Sequence, residues 1–110
     1  MFAKFDVIIT EFPFIDNKKK GKIRPAVIIS NKKYITNTGF VIIAMITTAK
    51  HSKMWNDIEI NDIQSIQLKE PSIIRMKFAN IQESDILAKI GTLDKYTQKA
   101  LQSNVKYIFE

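Results

Sequence analysis

The chain of 110 residues carries seventeen lysines and arginines, and only Arg24 and Arg75 are arginines. A guanidinium is planar and permanently charged, and it can hold two oxygens of one phosphate or carboxylate. Arg24 follows a lysine-rich loop and directly precedes Pro25, whose ring restricts Arg24 to an extended backbone. This arrangement predicts a fixed cation at the rim of a sheet, facing a phosphate. Pairing of Arg24 with Asp16 or Glu11 is an equal alternative on composition alone.

Two hydroxyls and two single-copy residues complete the set of candidate functional side chains. Thr47 and Thr48 end an apolar run, where a hydroxyl could donate to a phosphate oxygen or cap its own loop. His51 is the only histidine, which excludes the paired acid–base chemistry of a two-histidine nuclease and favours an ordinary surface residue. Trp55 lies in a polar loop near lysines, where it could stack on a base or pack the loop down. Packing is slightly favoured.

The composition excludes several other kinds of site. The chain has no cysteine and one histidine, and its acidic residues lack ligand spacing, so no metal site is predicted. No dinucleotide or P-loop motif is present, so no cofactor is predicted either. The formal net charge of +6 favours nucleic acid or an acidic protein as a partner over solubility alone.

The same reading of the sequence predicts one cytoplasmic domain over residues 1–110. A chain of this length has no room for a second core. No apolar run approaches the roughly 18 residues that a membrane span needs, and the first twelve residues show no cleavage site for a signal peptide. We therefore expect no membrane contact.

The elements that must position these residues are mostly strands. Three strands are predicted. Apolar and polar residues alternate over Phe5–Phe12, and continuous apolar runs cover Pro25–Ser30 and Phe40–Thr48. Shorter strands are expected near residues 57–60, 72–76 and 87–93, and residues 31–39 are predicted to be a hairpin loop. Asp94 is a good N-cap for a final amphipathic helix of about four turns. About five to seven antiparallel strands should then curl into a small barrel, and leftover apolar surface predicts a dimer.

Taken in order, several stretches resemble the MazF/PemK family of toxin endoribonucleases: FDVIITEFPF, KIRPAVIISN, FVIIAMITT, LKEPSIIRMKF and KIGTLDKYTQKAL. The resemblance covers nearly the whole chain. It implies a mainly β fold, a small SH3-like or CcdB-like antiparallel barrel with a C-terminal helix, that acts as a homodimer. It also implies the toxin half of a type II toxin–antitoxin pair, with single-stranded RNA and a cognate acidic antitoxin as partners.

The resemblance further implies a reaction and its residues. The reaction is metal-independent, sequence-specific cleavage in which a 2′-OH attacks the neighbouring phosphate, leaving 2′,3′-cyclic phosphate and 5′-OH ends. The catalytic positions of the family fall on Arg24 and Thr47, with Thr48 as a second candidate. Arg24 would stabilise the anionic transition state and Thr47 would hold a nonbridging oxygen. RNA contacts are expected from Lys18, Lys19, Lys20, Lys22, His51, Lys53, Trp55, Arg75 and Lys77.

The chain also departs from the family pattern. Phe5 stands before Asp6, where the family usually has glycine, and lysines with Ile23 stand where some members carry an acid or a histidine before the arginine. Two alternatives therefore stay open: a non-catalytic, protein-binding toxin on the same barrel, like the gyrase-inhibiting CcdB toxins, and a decayed toxin of weak activity. Arg24 next to Pro25, followed by a strand-ending threonine, favours the nuclease.

Overall fold

The computed structural model describes residues 2–11, 22–50 and 53–110. Within these ranges, six strands form one antiparallel sheet in the spatial order β4-β5-β3-β2-β1-β6. The strands are β1 (Asp6–Glu11), β2 (Ile23–Ile28), β3 (Phe40–Thr48), β4 (Ile58–Glu59), β5 (Ser72–Gln82) and β6 (Ala88–Thr92). The sheet curls into a half-barrel, and the mainly β architecture predicted from the sequence is confirmed.

Two helices cover the two faces of this sheet. Helix α1 (Lys32–Thr38) connects β2 to β3, and helix α2 (Lys95–Phe109) ends the chain. A short 3₁₀ turn (Glu83–Asp85) connects β5 to β6. Among residues 2–11, 22–50 and 53–110, no helix is long and apolar enough to cross a membrane.

The central strands are apolar on both sides because each face of the sheet has its own core. On the face under α2, here called the α2 face, Val27 and Ile46 pack around the fully buried Leu101. On the opposite face, here called the α1 face, Ile28 and Ile43 belong to the cluster that buries Ile35 of α1. Burial on both faces explains the continuous apolar runs of β2 and β3, which a sheet with one wet face would not show.

The hairpin loop predicted over residues 31–39 is wrong, since this segment contains α1. The helix begins because the Asn31 side chain accepts a hydrogen bond from the Tyr34 amide at 2.9 Å. It ends at Gly39, whose left-handed φ of 76° lets its N–H donate to the Ile35 carbonyl at 2.8 Å. Two caps and one buried isoleucine thus hold a helix of only seven residues.

Strand β5 is longer than predicted, because it continues past an irregularity. Met45 of β3 pairs with Arg75, but the preceding Ala44 pairs with Phe78, so β5 carries a bulge at Met76 and Lys77. The sequence pattern loses its period at this bulge, and the predicted strand ended there at residue 76. The other predicted strands are confirmed within one to three residues of their observed ends in the described part of the chain.

The predicted cap of the last helix is confirmed. The Asp94 carboxylate accepts hydrogen bonds from the amide and the hydroxyl of Thr97. The hydroxyl bond to Thr97 is the largest cause of a pKa of Asp94 below its usual value, since it stabilises the charged form. The cap fixes where α2 starts and therefore which of its faces lies on the sheet.

The entry to β1 has an unusual backbone. Phe5 has a φ of 76°, a left-handed conformation that residues with a Cβ rarely adopt. Two backbone hydrogen bonds hold it there: the Phe5 amide donates to the Ile28 carbonyl at 2.8 Å, and the Leu93 amide donates to the Phe5 carbonyl at 3.1 Å. The regular strand consequently begins at Asp6 rather than at Phe5.

Candidate active site

The strand register brings Arg24 and Thr47 together at one end of the sheet. The ladder between β2 and β3 pairs Ala26 with Met45, and continuing it by two residues sets Arg24 opposite Thr47. On the other side of β2, Arg24 pairs with Thr10 of β1. Directly opposite residues of antiparallel strands project to the same face. A row of one guanidinium between two hydroxyls therefore crosses three strands.

The register also separates Thr47 from Thr48, which the sequence left undecided. Successive side chains of a strand point to opposite faces, and Met45 belongs to the α1 face. Thr47 lies two residues further along β3 and shares that face with Arg24, whereas Thr48 projects to the other face. Thr47 is only 7 % exposed, so its hydroxyl occupies a defined position.

Arg24, Thr47 and Thr48 line one cavity of about 240 Å³ at the end of the sheet. Arg24 is partly buried, and its Nε atom is inaccessible to solvent. The remaining walls come from neighbouring strands and from the segment before β5, and they include Lys69, Glu70 and Ser72. The cavity is thus lined by two basic residues, by Thr47 from the face that carries Arg24, and by one acidic residue, a set that can hold a phosphodiester and move its protons.

Glu70 is a lining residue that the sequence analysis did not single out. It is the one acidic residue among the described residues that line this cavity. Its Oε1 atom lies 3.2 Å from Nζ of Lys50, and its backbone carbonyl accepts a hydrogen bond from the Ser72 hydroxyl at 2.9 Å. The local sequence LKEPS does not reveal that Glu70 lines the same cavity as Arg24.

A larger depression of about 720 Å³ adjoins the row on the β1 side. Thr10 lies in its wall, and the Thr10 hydroxyl donates to the Asp85 carbonyl at 3.2 Å. Ile23 lines both cavities and is 66 % exposed. Because the two spaces meet at Ile23, a linear polymer bound at Arg24 has room to continue into the larger depression.

Arg75 occupies a different environment from Arg24. Its Nε and Nη2 atoms lie 3.3 and 3.0 Å from the two carboxylate oxygens of Asp57, and the two side chains are only 11 % and 7 % exposed. Burial raises the pKa of Asp57, but the hydrogen bonds from Arg75 and from the Met54 amide outweigh it, so the pKa lies below its usual value. The observed contact of Arg75 is structural, and its predicted RNA contact stays a prediction.

Trp55 is more exposed than the favoured packing interpretation predicts. It is 64 % exposed, and its ring centroid lies 6.1 Å from that of Tyr107. The turn that carries it is well held: the Met54 amide donates to Asp57 at 2.8 Å, and the Asn104 side chain donates to the Asn56 carbonyl at 3.0 Å. Trp55 is therefore an exposed aromatic side chain on a braced turn.

The predicted RNA-binding lysines divide into two groups. Lys22, Lys53 and Lys77 are exposed, and Lys22 lies two residues before Arg24 at the entry to β2. Lys18, Lys19, Lys20 and His51 lie outside the described residues. Within the described ranges, no group of three or more histidine, cysteine or acidic side chains is arranged to hold a metal ion.

Solved structures of toxins share this fold. An endoribonuclease in complex with its cognate antitoxin, from a mycobacterial species, superposes with a TM-score of 0.77 over 99 % of this chain and 95 % of that chain, at 12 % identity. The Mycobacterium tuberculosis toxin MazF-mt6 superposes with a TM-score of 0.73 over 94 % of this chain and 95 % of that chain, at 20 % identity. MazF from Deinococcus radiodurans superposes with a TM-score of 0.75 over 97 % of this chain and 94 % of that chain, at 10 % identity. These likenesses define the fold.

The family follows from the sequence itself. A family model described as the PemK-like, MazF-like toxin of type II toxin–antitoxin systems matches residues 3–109. The chain belongs to this family of toxins. None of the curated proteins is significantly similar to it by sequence.

Proposed function

We propose that this chain is the toxin of a type II toxin–antitoxin pair and a metal-independent endoribonuclease acting in the cytoplasm. The observation that carries the proposal is the cavity at the end of the sheet that both Arg24 and Thr47 line. Membership of a family whose structural relatives include endoribonucleases supports the same reaction. The substrate is single-stranded RNA, whose unstacked backbone can enter a shallow groove at the end of a sheet.

The chemistry assigned to the row is phosphodiester transfer within one strand. The O2′ atom attacks the adjacent phosphorus, the O2′–P bond forms, and the P–O5′ bond breaks to give a 2′,3′-cyclic phosphate and a 5′-OH end. Negative charge builds up on the nonbridging oxygens in the transition state. Arg24 stabilises that charge electrostatically, and the Thr47 hydroxyl donates to one nonbridging oxygen.

Proton transfer needs an acceptor for the 2′-OH proton. We propose Glu70 for this role because it is the acidic residue, among those described, that lines the cavity of Arg24 and Thr47, and its carboxylate is held 3.2 Å from Nζ of Lys50. The proton on the departing O5′ atom then comes from water. A carboxylate in this position would contribute about 10²- to 10⁴-fold to the rate, and the Glu70→Gln variant, which cannot accept the proton, should lose that factor.

The proposal includes two protein partners. One is a cognate acidic antitoxin, which the complexes of structural relatives support. The other is a second copy of this chain.

The test of the proposed function is cleavage of a long unstructured RNA by the purified protein in EDTA, with the cut ends mapped. We expect cuts at a short repeated sequence, with 5′-OH ends and cyclic phosphate on the upstream fragment. Cleavage that requires added metal, or that leaves 5′-phosphate ends, would contradict the mechanism. RNA that stays intact while gyrase is stalled would favour a protein-binding toxin.

A further inference from the structure

A second concave surface lies on the α2 face, away from the Arg24 row. Two adjoining cavities of about 300 and 400 Å³ run along α2 and share Phe5, Gln102 and Lys106. We call this combined surface the lysine groove. Its apolar floor is formed by Phe5, Ile29, Leu101 and Val105. Ile29 follows the end of β2, whereas Arg24 lies at its start, so the groove and the row occupy opposite faces and opposite ends of that strand.

The rim of the lysine groove is strongly basic. Lys95, Lys99 and Lys106 are spaced by four and seven residues, which sets them on one side of α2. Lys4 completes the rim across the groove, with its Nζ atom 5.3 Å from the centroid of the Phe5 ring. Within the described part of the chain, none of these four lysines forms a salt bridge. Among the described residues, no ion pair therefore neutralises the positive charge of the rim.

Phe5 gives an independent reason to regard this groove as functional. Its φ of 76° is accessible to glycine without strain, but costs about 1 kcal/mol or more for a residue with a Cβ. The side chain that carries this cost lines both cavities of the groove. Glycine would relax the backbone, but it would remove the wall that Phe5 forms between the two cavities and its packing against the core of the α2 face.

We propose that the lysine groove binds an acidic protein segment that carries apolar side chains, namely a segment of the cognate antitoxin. The identity of this partner rests on the proposed toxin–antitoxin function. Glutamate and aspartate side chains would meet the four lysines of the rim, and one or two apolar side chains would fill the floor. Because the groove is remote from Arg24, it anchors the antitoxin without itself covering the catalytic row.

The same features argue against two other occupants. An RNA base needs an open aromatic face, but the ammonium of Lys4 already lies over the Phe5 ring, and the rest of the floor is aliphatic. A second copy of the chain would bring the same surface to a two-fold axis, which would oppose lysine with lysine. Measurements of RNA cleavage and of the oligomeric state decide whether either of these occupants uses the groove.

The experiment measures the affinity of the purified, full-length antitoxin encoded next to this toxin, by calorimetry at two salt concentrations. The test variant is the double substitution K95E/K99E, and its matched control is K32E/K33E, which makes the same charge change on exposed residues of α1. Glutamate at residue 95 also suits the first turn of a helix, so folding is preserved. We expect K95E/K99E to raise the Kd by about 10- to 100-fold and to weaken its salt dependence.

Two further readouts identify the occupant. The rate of RNA cleavage should be the same for K95E/K99E as for the wild type. The molecular mass in solution without antitoxin, which reports the oligomeric state, should also be unchanged. Phe5→Gly keeps the left-handed backbone and removes the apolar side chain from the groove, so it should bind the antitoxin more weakly, and its thermal unfolding midpoint reports the packing lost against the core. Unchanged antitoxin affinity in K95E/K99E, or an equal loss in K32E/K33E, overturns the proposal. An equal loss of RNA cleavage assigns the groove to RNA, and a changed mass assigns it to a second copy; either result also overturns it.

The two proposals fail in different ways. If the wild type cuts no RNA while K95E/K99E still loses antitoxin affinity, the nuclease function is wrong and the lysine groove stands. If the wild type cuts RNA as expected and antitoxin affinity is insensitive to both double variants, the groove is wrong and the nuclease function stands.

Discussion

The two arginines of this chain lie on the same face of the sheet and have different surroundings. Arg75 pairs across the strands with Met45, two residues before Thr47, so both guanidinium groups belong to the α1 face. Arg75 is clamped by both oxygens of Asp57 and is nearly buried. Arg24 is partly buried and lines a cavity with Thr47 and Glu70.

This difference separates an arginine that holds the fold together from the arginine for which we propose a catalytic role. The Asp57–Arg75 pair satisfies a buried carboxylate and ties the Trp55 turn to β5. Arg24 is set by the strand register beside two hydroxyls, at the mouth of a space that a phosphate can enter. A ligand-binding arginine is recognised by what shares its cavity, and composition alone cannot separate the two.

The largest effect is expected at Arg24. Arg24→Ala should lower the RNA cleavage rate by about 10³-fold or more, since it removes the charge that stabilises the transition state. The midpoint of thermal unfolding should change little. The cleavage rate of Arg24→Lys should lie between those of the wild type and Arg24→Ala, because an ammonium keeps the charge but loses the planar guanidinium. A folded Arg24→Ala protein with full activity would remove the proposed mechanism.

At Arg75 the same substitution should affect the free energy of unfolding instead. Arg75→Ala leaves the Asp57 carboxylate buried without its cation, which costs about 3–5 kcal/mol. Denaturant unfolding measures this loss, and the double variant R75A/D57A should lose less than the two single variants added together. If Arg75→Ala keeps its stability and loses cleavage, the roles assigned to the two arginines are wrong.

A smaller comparison separates the two threonines. Thr47→Val, which is nearly isosteric, should lower cleavage by about 10²- to 10³-fold through the loss of one donor. Thr48→Val is the matched control, because Thr48 projects to the other face, and it should lower cleavage less than about tenfold. Single-turnover kinetics on a short RNA measures both. A larger loss in Thr48→Val would show that the hydroxyls are assigned in the wrong order.

The smallest effect concerns acid stability. The pKa of Asp57 in the folded protein lies below its usual 3.8, because the Arg75 and Met54 hydrogen bonds outweigh burial. A carboxylate of this kind stabilises the fold above its unfolded pKa, and the contribution is lost as the pH falls through the folded pKa. The free energy of unfolding should therefore fall below about pH 4 in the wild type and in Arg24→Ala. The fall should be shallower in Arg75→Ala, and equal slopes in all three proteins would contradict this assignment.

The sequence predicted those parts of the fold that a local pattern encodes. Strand β3 was predicted with its observed bounds because both of its faces are buried, so its apolar run is unbroken. The cap at Asp94 was predicted because its mechanism is local. Helix α1 was missed because the polar stretches NKKY and NTG indicate a turn, whereas Asn31 and Gly39 in fact cap a seven-residue helix.

The site was predictable only in part, because it is assembled across strands. Arg24 and Thr47 could be selected from their neighbours along the chain. Thr10 and Glu70 could not, since their proximity to Arg24 depends on the register of β1 and on the segment before β5. The choice between Thr47 and Thr48 needed the same register, because a slip by one residue exchanges their faces.

The central claim is that Arg24 and Thr47 act together on one phosphate, and a double-mutant cycle on the single-turnover cleavage rate tests it most directly. Groups that stabilise the same transition state lose less together than the sum of their separate losses. We predict that R24A/T47V cleaves RNA at nearly the rate of Arg24→Ala alone. If the rate loss of the double variant equals the product of the two single-variant losses, the two side chains act independently. The row across the sheet would then not be the catalytic unit.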